Sequence, residues 1–257
     1  MAHLVTNRPR VGSPQVADPD HPAHDWWELV SLVVYELGAA LFIGGSIFFL
    51  PALASSQFVG AWLFLIGSIL YLVVTGHDLL EVVRFWRLFF TRTLGQTLEL
   101  LASLNYVTGS LLFAVGSVFF LPSWDWPVAG AWLFVLGSVA FVVGASVNLL
   151  QVFESPTLAY LELFNLTVAW FAVGSVLFLV ASVPYLWDLH SNRDATLVMT
   201  YAGFEYMAGS ILFLSGGLMI HLRYRVRRRH AAAGGSRTSV LTGFVRREVG
   251  RYGRLGS

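Results

Sequence analysis

Residues 41–51 read LFIGGSIFFLP, and residues 112–122 read LFAVGSVFFLP. Both strings are apolar, carry Gly-Ser at the centre and close on Leu-Pro. A looser copy, WFAVGSVLFLV, occupies 170–180. Each has a partner downstream: AWLFLIGSILYL at 61–72, AWLFVLGSVAFV at 131–142 and YMAGSILFLSGG at 206–217. The first two copies are offset by 70 or 71 residues, and Asp78-Leu-Leu-Glu81-Val82 lines up with Asn148-Leu-Leu-Gln151-Val152. A two-segment unit is therefore repeated along the chain, and the third copy has drifted.

The surrounding apolar runs, roughly 27–50, 58–75, 101–121, 128–150, 161–187 and 196–222, approach or exceed the roughly 20 residues that a bilayer core requires. Only 12% of the 257 residues are charged, against 56% hydrophobic, and mean hydropathy is +0.67. Soluble domains are about a quarter charged, so the natural solvent for this surface is lipid. Prolines 51, 122 and 184 stand where a chain leaves a helix and turns back, because proline cannot donate the next backbone bond. The reading is an all-α membrane protein. Its six transmembrane helices form three tandem, parallel helix-hairpin repeats in a pseudo-threefold bundle. The hairpins are expected at 27–77, 101–151 and 161–222, the last with a longer outer loop.

All 16 basic residues are arginine, and there is no cysteine. Disulfides, thiolate catalysis, Cys-based metal sites and lysine Schiff bases are excluded. With six spans both termini share a side. That side holds Arg8, Arg10, Arg84, Arg87, Arg92 and the run from Arg223 to Arg229; the opposite loops hold Arg193. The asymmetry places both termini in the cytoplasm and the chain in the cell membrane. Residues 1–25 and 223–257 are expected to be polar cytoplasmic tails, the first disordered. Anionic lipid headgroups are the expected partner of the second, and nucleic acid is not. Segment 78–100 mixes arginine with Phe85, Trp86, Phe89 and Phe90. It reads as an interfacial amphipathic connector or as an extension of the second helix.

Small residues recur every seven positions, with Gly45, Gly67, Gly116, Gly137, Gly174 and Gly209 at the centres and others a heptad away, such as Gly38, Gly60, Gly109, Gly130 and Gly144. A seven-residue period keeps one seam on a neighbouring helix in a left-handed pair. In lipid, where apolar burial gives little net drive, glycine lets backbones approach for van der Waals contact. Serine follows each central glycine, at 46, 68, 117, 138, 175 and 210. Its hydroxyl can bond a carbonyl one turn back or reach across an interface.

The hairpins at Leu41–Pro51 with Ala61–Leu72, and at Leu112–Pro122 with Ala131–Val142, resemble the YrhK-like domain of small membrane proteins. The third unit matches less well because of its long loop and Glu205. The resemblance implies a membrane-embedded hairpin module. It carries over no activity and no catalytic residue.

An ionisable side chain inside a span is a functional candidate. Glu36 lies in the first helix beside Tyr35, and Glu205 in the sixth beside Tyr206. Neither has an acidic counterpart in the other copies, so both are additions to the repeat. They form a candidate proton or cation path, or they are structural. His77 and Glu81 stand one turn apart with Asp78 between them, which reads as a polar helix end; Asp78, Glu99 or His221 would be needed for a metal. Asn105, Asn148 and Asn165 read as helix–helix hydrogen bonds. No metal, cofactor or catalytic motif emerges: there is no HExxH, GxSxG or phosphate loop. The leading expectation is a non-enzymatic structural or interaction module that packs with copies of itself or a membrane protein partner. The alternative is a small transporter or channel moving protons or cations past Glu36 and Glu205.

Overall fold

The computed structural model describes residues 22–88, 94–153, 158–188 and 191–232. Six helices follow in chain order: α1 (Pro22–Phe48), α2 (Gln57–Leu88), α3 (Leu94–Phe119), α4 (Pro127–Phe153), α5 (Leu158–Ser182) and α6 (Asn192–Ala232). All six are long and apolar enough to cross a membrane. Prolines shape their ends. Pro22 and Pro127 open α1 and α4 at the first helical position, where the missing N–H is no loss. Pro51 opens the 3-10 turn Pro51–Ser56 after α1, and Pro184 sits in the turn Val183–Leu186 after α5.

Three boundaries differ from the sequence expectation. Residues 78–88 are not a separate interfacial connector, because α2 runs unbroken to Leu88. The stretch Asp78–Leu88 holds no glycine or proline to stop it. Residues 94–100 are the first turns of α3, and 89–93 lie outside the described residues. At the C-terminal end, α6 continues through the arginine run to Ala232, well past the expected limit at 222. Helix α1 likewise begins at Pro22, inside the segment expected to be a tail. The remainder of both expected tails, 1–21 and 233–257, falls outside the described residues.

The helices form a closed ring. Each packs on the next in sequence, and α6 returns to α1. Outward faces are apolar and exposed, as at Trp62, Ile66, Val73, Leu136, Val173, Phe204 and Ile211. In water such a surface would aggregate; in a bilayer it is the lipid contact. Trp124, Trp126, Trp132 and Trp187 are exposed near the loop end of the bundle, where amphipathic rings favour the headgroup level.

The inward faces carry aromatic rings at seven-residue intervals. Phe42, Phe64, Phe113, Phe134, Phe178 and Tyr206 are buried, one from each helix. Their rings meet across the centre as well as along the ring of helices. Phe64, Phe134 and Tyr206, from α2, α4 and α6, touch pairwise with centroids 5.9, 5.6 and 6.4 Å apart. Phe178 of α5 reaches Phe42 of α1 at 5.9 Å and Phe113 of α3 at 5.6 Å. One heptad toward the chain termini lies a second layer of Tyr35, Tyr71, Tyr106, Phe141, Phe171 and Phe213. Toward the loops Phe49, Phe120 and Tyr185 continue the stack. Ring–ring contact therefore fills the axis over several turns.

Candidate functional site

The candidate glycines sit on the seams between paired helices. A methyl group built on Gly45 would lie 2.5 Å from the Phe64 ring and 3.2 Å from the Gly60 carbonyl; one on Gly67 would lie 2.9 Å from Phe42 and 3.1 Å from the Gly38 carbonyl. In the α3–α4 pair, Gly116 faces Phe134 and Gly130, and Gly137 faces Phe113 and Gly109. Gly174 and Gly209 face one another in α5–α6, each against the other's carbonyl and a ring, Phe213 or Phe178. The logic is common to all three pairs: glycine on one helix seats an aromatic ring of its partner, which then turns inward to the axis.

The string match WFAVGSVLFLV places Gly174 level with Gly45 and Gly116. The ring contacts place it one heptad nearer the chain termini. Phe178, not Phe171, joins Phe42 and Phe113, while Phe171 meets Tyr35 at 6.1 Å and Tyr106 at 5.6 Å. The segment level with Gly45 and Gly116 is therefore Leu177-Phe-Leu-Val-Ala181-Ser182, in which alanine replaces glycine. A seam that repeats every seven residues looks alike after a slip of seven, and only packing across the axis selects the register.

The serines mostly bond back within their own helix. Ser46, Ser117, Ser175 and Ser210 donate to the carbonyls of Phe42, Phe113, Phe171 and Tyr206 at 2.6 to 2.8 Å. Ser68 and Ser138 are buried with no hydrogen-bond partner among the described residues. Of the asparagines, Asn148 Nδ2 donates to the Tyr106 hydroxyl at 2.9 Å, joining α4 to α3. Asn105 instead donates to Leu101 O on its own helix, because its side chain lies off the seam. The Asn165 side chain lies outside the described residues.

Polar groups gather toward the end of the bundle that carries the termini. Thr75 and Ser110 meet at 3.3 Å, and Ser103 donates to Asp78 at 3.4 Å, both between α2 and α3. Asp78, Glu99 and Asn148 are buried there. His77 and Glu81 are partly buried at the same end. Among the described residues no group of three or more His, Asp or Glu is placed to hold a metal ion.

The two carboxylates singled out by sequence are not brought together. Glu36 lies on the α1–α6 seam with its Oε1 3.5 Å from His221 Nδ1. Glu205 lies sixteen residues back along α6 from His221, about 24 Å away at 1.5 Å per residue. Glu205 is nearly buried and stands one turn from the exposed Tyr201. Its Oε2 has no hydrogen-bond partner among the described residues. Glu36 adjoins Tyr35 of one aromatic layer, and Glu205 adjoins Tyr206 of the other. Sequence reasoning missed His221 as the partner of Glu36, since nothing in the linear order joins the first helix to the last. It also missed the aromatic layers, whose signal is visible in hindsight: Phe or Tyr stands three residues before Gly-Ser in every helix, at Phe42, Phe64, Phe113, Phe134, Phe171 and Tyr206.

Six apolar helices closed round an aromatic core define a multi-pass helical membrane protein. A model of the YrhK-like protein family matches the chain twice, over residues 25–83 and 96–153, together just under half its length. Two tandem segments of the chain thus match that family model, one containing the α1–α2 pair and the other α3–α4; α5 and α6 lie outside both matches. No curated protein and no solved structure matches.

Proposed function

We propose that this protein is a non-enzymatic, membrane-embedded structural or interaction module. Its three hairpins are related by a pseudo-threefold axis along the membrane normal. The observation that carries this reading is the aromatic packing at the centre of the bundle. That centre is filled by rings from all six helices, with centroids 4.6 to 6.5 Å apart, and a packed axis conducts nothing. The outer surface is left to lipid, to a second copy or to a membrane protein partner. The arginine distribution supports cytoplasmic termini in the cell membrane. The extension of α6 beyond His221 carries basic residues toward anionic headgroups.

The alternative, a proton or cation path past Glu36 and Glu205, is weakened by their separation along the bundle and by the packed rings at its centre. Ion flux into vesicles holding the purified protein decides between the two. The module reading expects flux equal to that of empty vesicles, with or without Glu36→Gln and Glu205→Gln. Flux present in the natural chain and lost in either variant would overturn it. Because the chain has no cysteine, single cysteines introduced at Asp125 and Asp188 report orientation cleanly. An impermeant thiol reagent added outside intact cells is expected to label both.

A further inference from the structure

The closed ring has one seam that joins helices distant in sequence, α1 with α6. Two polar contacts cross it. The Tyr35 hydroxyl donates to Phe213 O at 2.9 Å, and His221 Nδ1 stands 3.5 Å from Glu36 Oε1, with each side chain 19% exposed. Gly217 makes room for the approach, since a methyl group there would lie 2.8 Å from the Tyr35 ring and 3.2 Å from Glu36 Cγ. The two facing atoms are themselves buried, and their 3.5 Å approach is an ion-pair contact that does not have the geometry of a hydrogen bond.

The other hairpin-to-hairpin seams supply an internal comparison. The aromatic layers align Tyr35 with Tyr106 and Phe171, and Phe213 with Tyr71 and Phe141. Counting along each helix, Glu36 corresponds to Val107 and Ala172, and His221 to Leu79 and Leu149. Where α2 meets α3 the pair of positions is thus Leu and Val. Where α4 meets α5 it is Leu and Ala. Only at the α1–α6 seam are both positions ionisable, and there the two side chains meet. An acid substituted alone into an apolar seam would be an uncompensated charge. A base placed opposite it is the compensation.

A carboxylate oxygen and an imidazole nitrogen at 3.5 Å attract one another most when the pair carries one proton more than an ionised acid and a neutral ring. Without that proton, a carboxylate faces an uncharged ring. With a second, a protonated imidazole faces a neutral acid. With the one, either as imidazolium and carboxylate or as imidazole and acid, the pair is neutral overall, the form that a partly desolvated seam favours. We propose that Glu36 and His221 form a proton-binding site that holds one proton and latches the first hairpin to the last. The inference does not rest on the scaffold reading above, and it requires no passage through the axis. Other titratable residues toward this end of the neighbouring helices are Glu28 on α1, His77, Asp78 and Glu81 on α2, and Glu162 on α5, while Arg223 begins the basic run of α6. Their titration adds to any pH dependence, so the test must subtract it.

The test is thermal unfolding of the full chain in lipid nanodiscs against pH. It compares the natural chain, Glu36→Val, His221→Leu and the double variant, which installs the Val107 and Leu79 side chains. Each single variant is expected to melt lower than the natural chain, and the double variant to recover most of the loss. The stability difference between the natural chain and the double variant should change with pH, because only the natural chain carries the proton-binding pair. A double variant no better than the two single losses combined overturns the site, as does a difference that does not change with pH. Where a single variant does not fold at all, imidazole protonation of His221 by nitrogen NMR in the natural chain and in Glu36→Gln decides instead. A His221 ring whose protonation responds to the loss of the Glu36 charge supports the shared proton, and an unchanged titration overturns it.

Discussion

Gly45 of α1 and Gly60 of α2 stand so close that a methyl group on either would lie 3.2 or 2.9 Å from the other's carbonyl oxygen. The same reciprocity holds for Gly38 with Gly67, Gly109 with Gly137, Gly116 with Gly130 and Gly174 with Gly209. Backbone therefore meets backbone along each hairpin seam. The aromatic side chains, having no room between the helices to lie flat, seat against the partner's glycine and project to the axis. One device sets both the helix spacing and the core.

Adding a single carbon to that seam should be costly. Gly45→Ala drives a methyl into the Phe64 ring and the Gly60 carbonyl, and overpacking of this kind costs about 1–3 kcal/mol. Gly76→Ala is the control, because nothing lies within 4 Å of the added carbon and alanine is the better helix former by up to about 1 kcal/mol. Melting in detergent or nanodiscs should fall for Gly45→Ala and hold or rise for Gly76→Ala. Equal effects would remove the close-approach account of the seam.

Phe178 is the ring through which the halves of the core communicate. It touches Phe42 on α1, Phe64 on α2, Phe113 on α3, and Tyr206 and Phe213 on α6. Phe178→Ala leaves a void that rigid neighbouring helices cannot close, and its expected cost is about 3–5 kcal/mol. Phe204→Ala, at an exposed outward position, should cost less than about 0.5 kcal/mol because the lost contacts are with lipid. Unfolding of the two variants side by side measures the difference.

The Tyr106 hydroxyl is the hydrogen-bond partner of the Asn148 amide at 2.9 Å, with both side chains buried. Tyr106→Phe removes that partner while keeping the ring. Interhelical polar contacts in membranes average under about 1 kcal/mol, with the largest near 2, and a fully buried amide belongs at the upper end. Adding Asn148→Leu to Tyr106→Phe should restore part of the loss, since no unmet amide then remains. A double-mutant cycle on melting midpoints reads that coupling directly.

Helix count and the seven-residue spacing of the glycines were legible in the linear sequence, because hydropathy and period survive without knowledge of contacts. The boundaries were not. Hydropathy ends α2 near His77 and Asp78 and ends α6 where arginine begins, yet charged residues such as glutamate and arginine are good helix formers, and both helices continue to Leu88 and Ala232. The register of α5 was ambiguous for a different reason: its Gly174 string matches the other copies best, while Phe178 rather than Phe171 meets Phe42 and Phe113. The acids were visible as exceptions to the repeat, but their environments were not. Whether an acid in an apolar run has a partner depends on helix neighbours around the ring, and the α1–α6 neighbour lies about 180 residues away in sequence.

Glu205 gives the last prediction, because its environment contrasts with that of Glu36. The corresponding positions on α2 and α4 are Leu63 and Leu133, and Glu205 Oε2 is buried with no hydrogen-bond partner among the described residues. Removing a carboxyl that is poorly satisfied, and installing the side chain that the other two hairpins carry, removes a desolvation cost of about 1–3 kcal/mol. Glu205→Leu should therefore melt at or above the natural chain, whereas Glu36→Val should melt below it. Glu205→Gln keeps the shape and a polar head, so it should gain less than Glu205→Leu. A Glu205→Leu chain that folds less stably than the natural one would mean that the carboxyl has a partner in the assembled protein. Cross-linking from a cysteine at Tyr201, the exposed residue one turn from Glu205, would then identify the protein that supplies it.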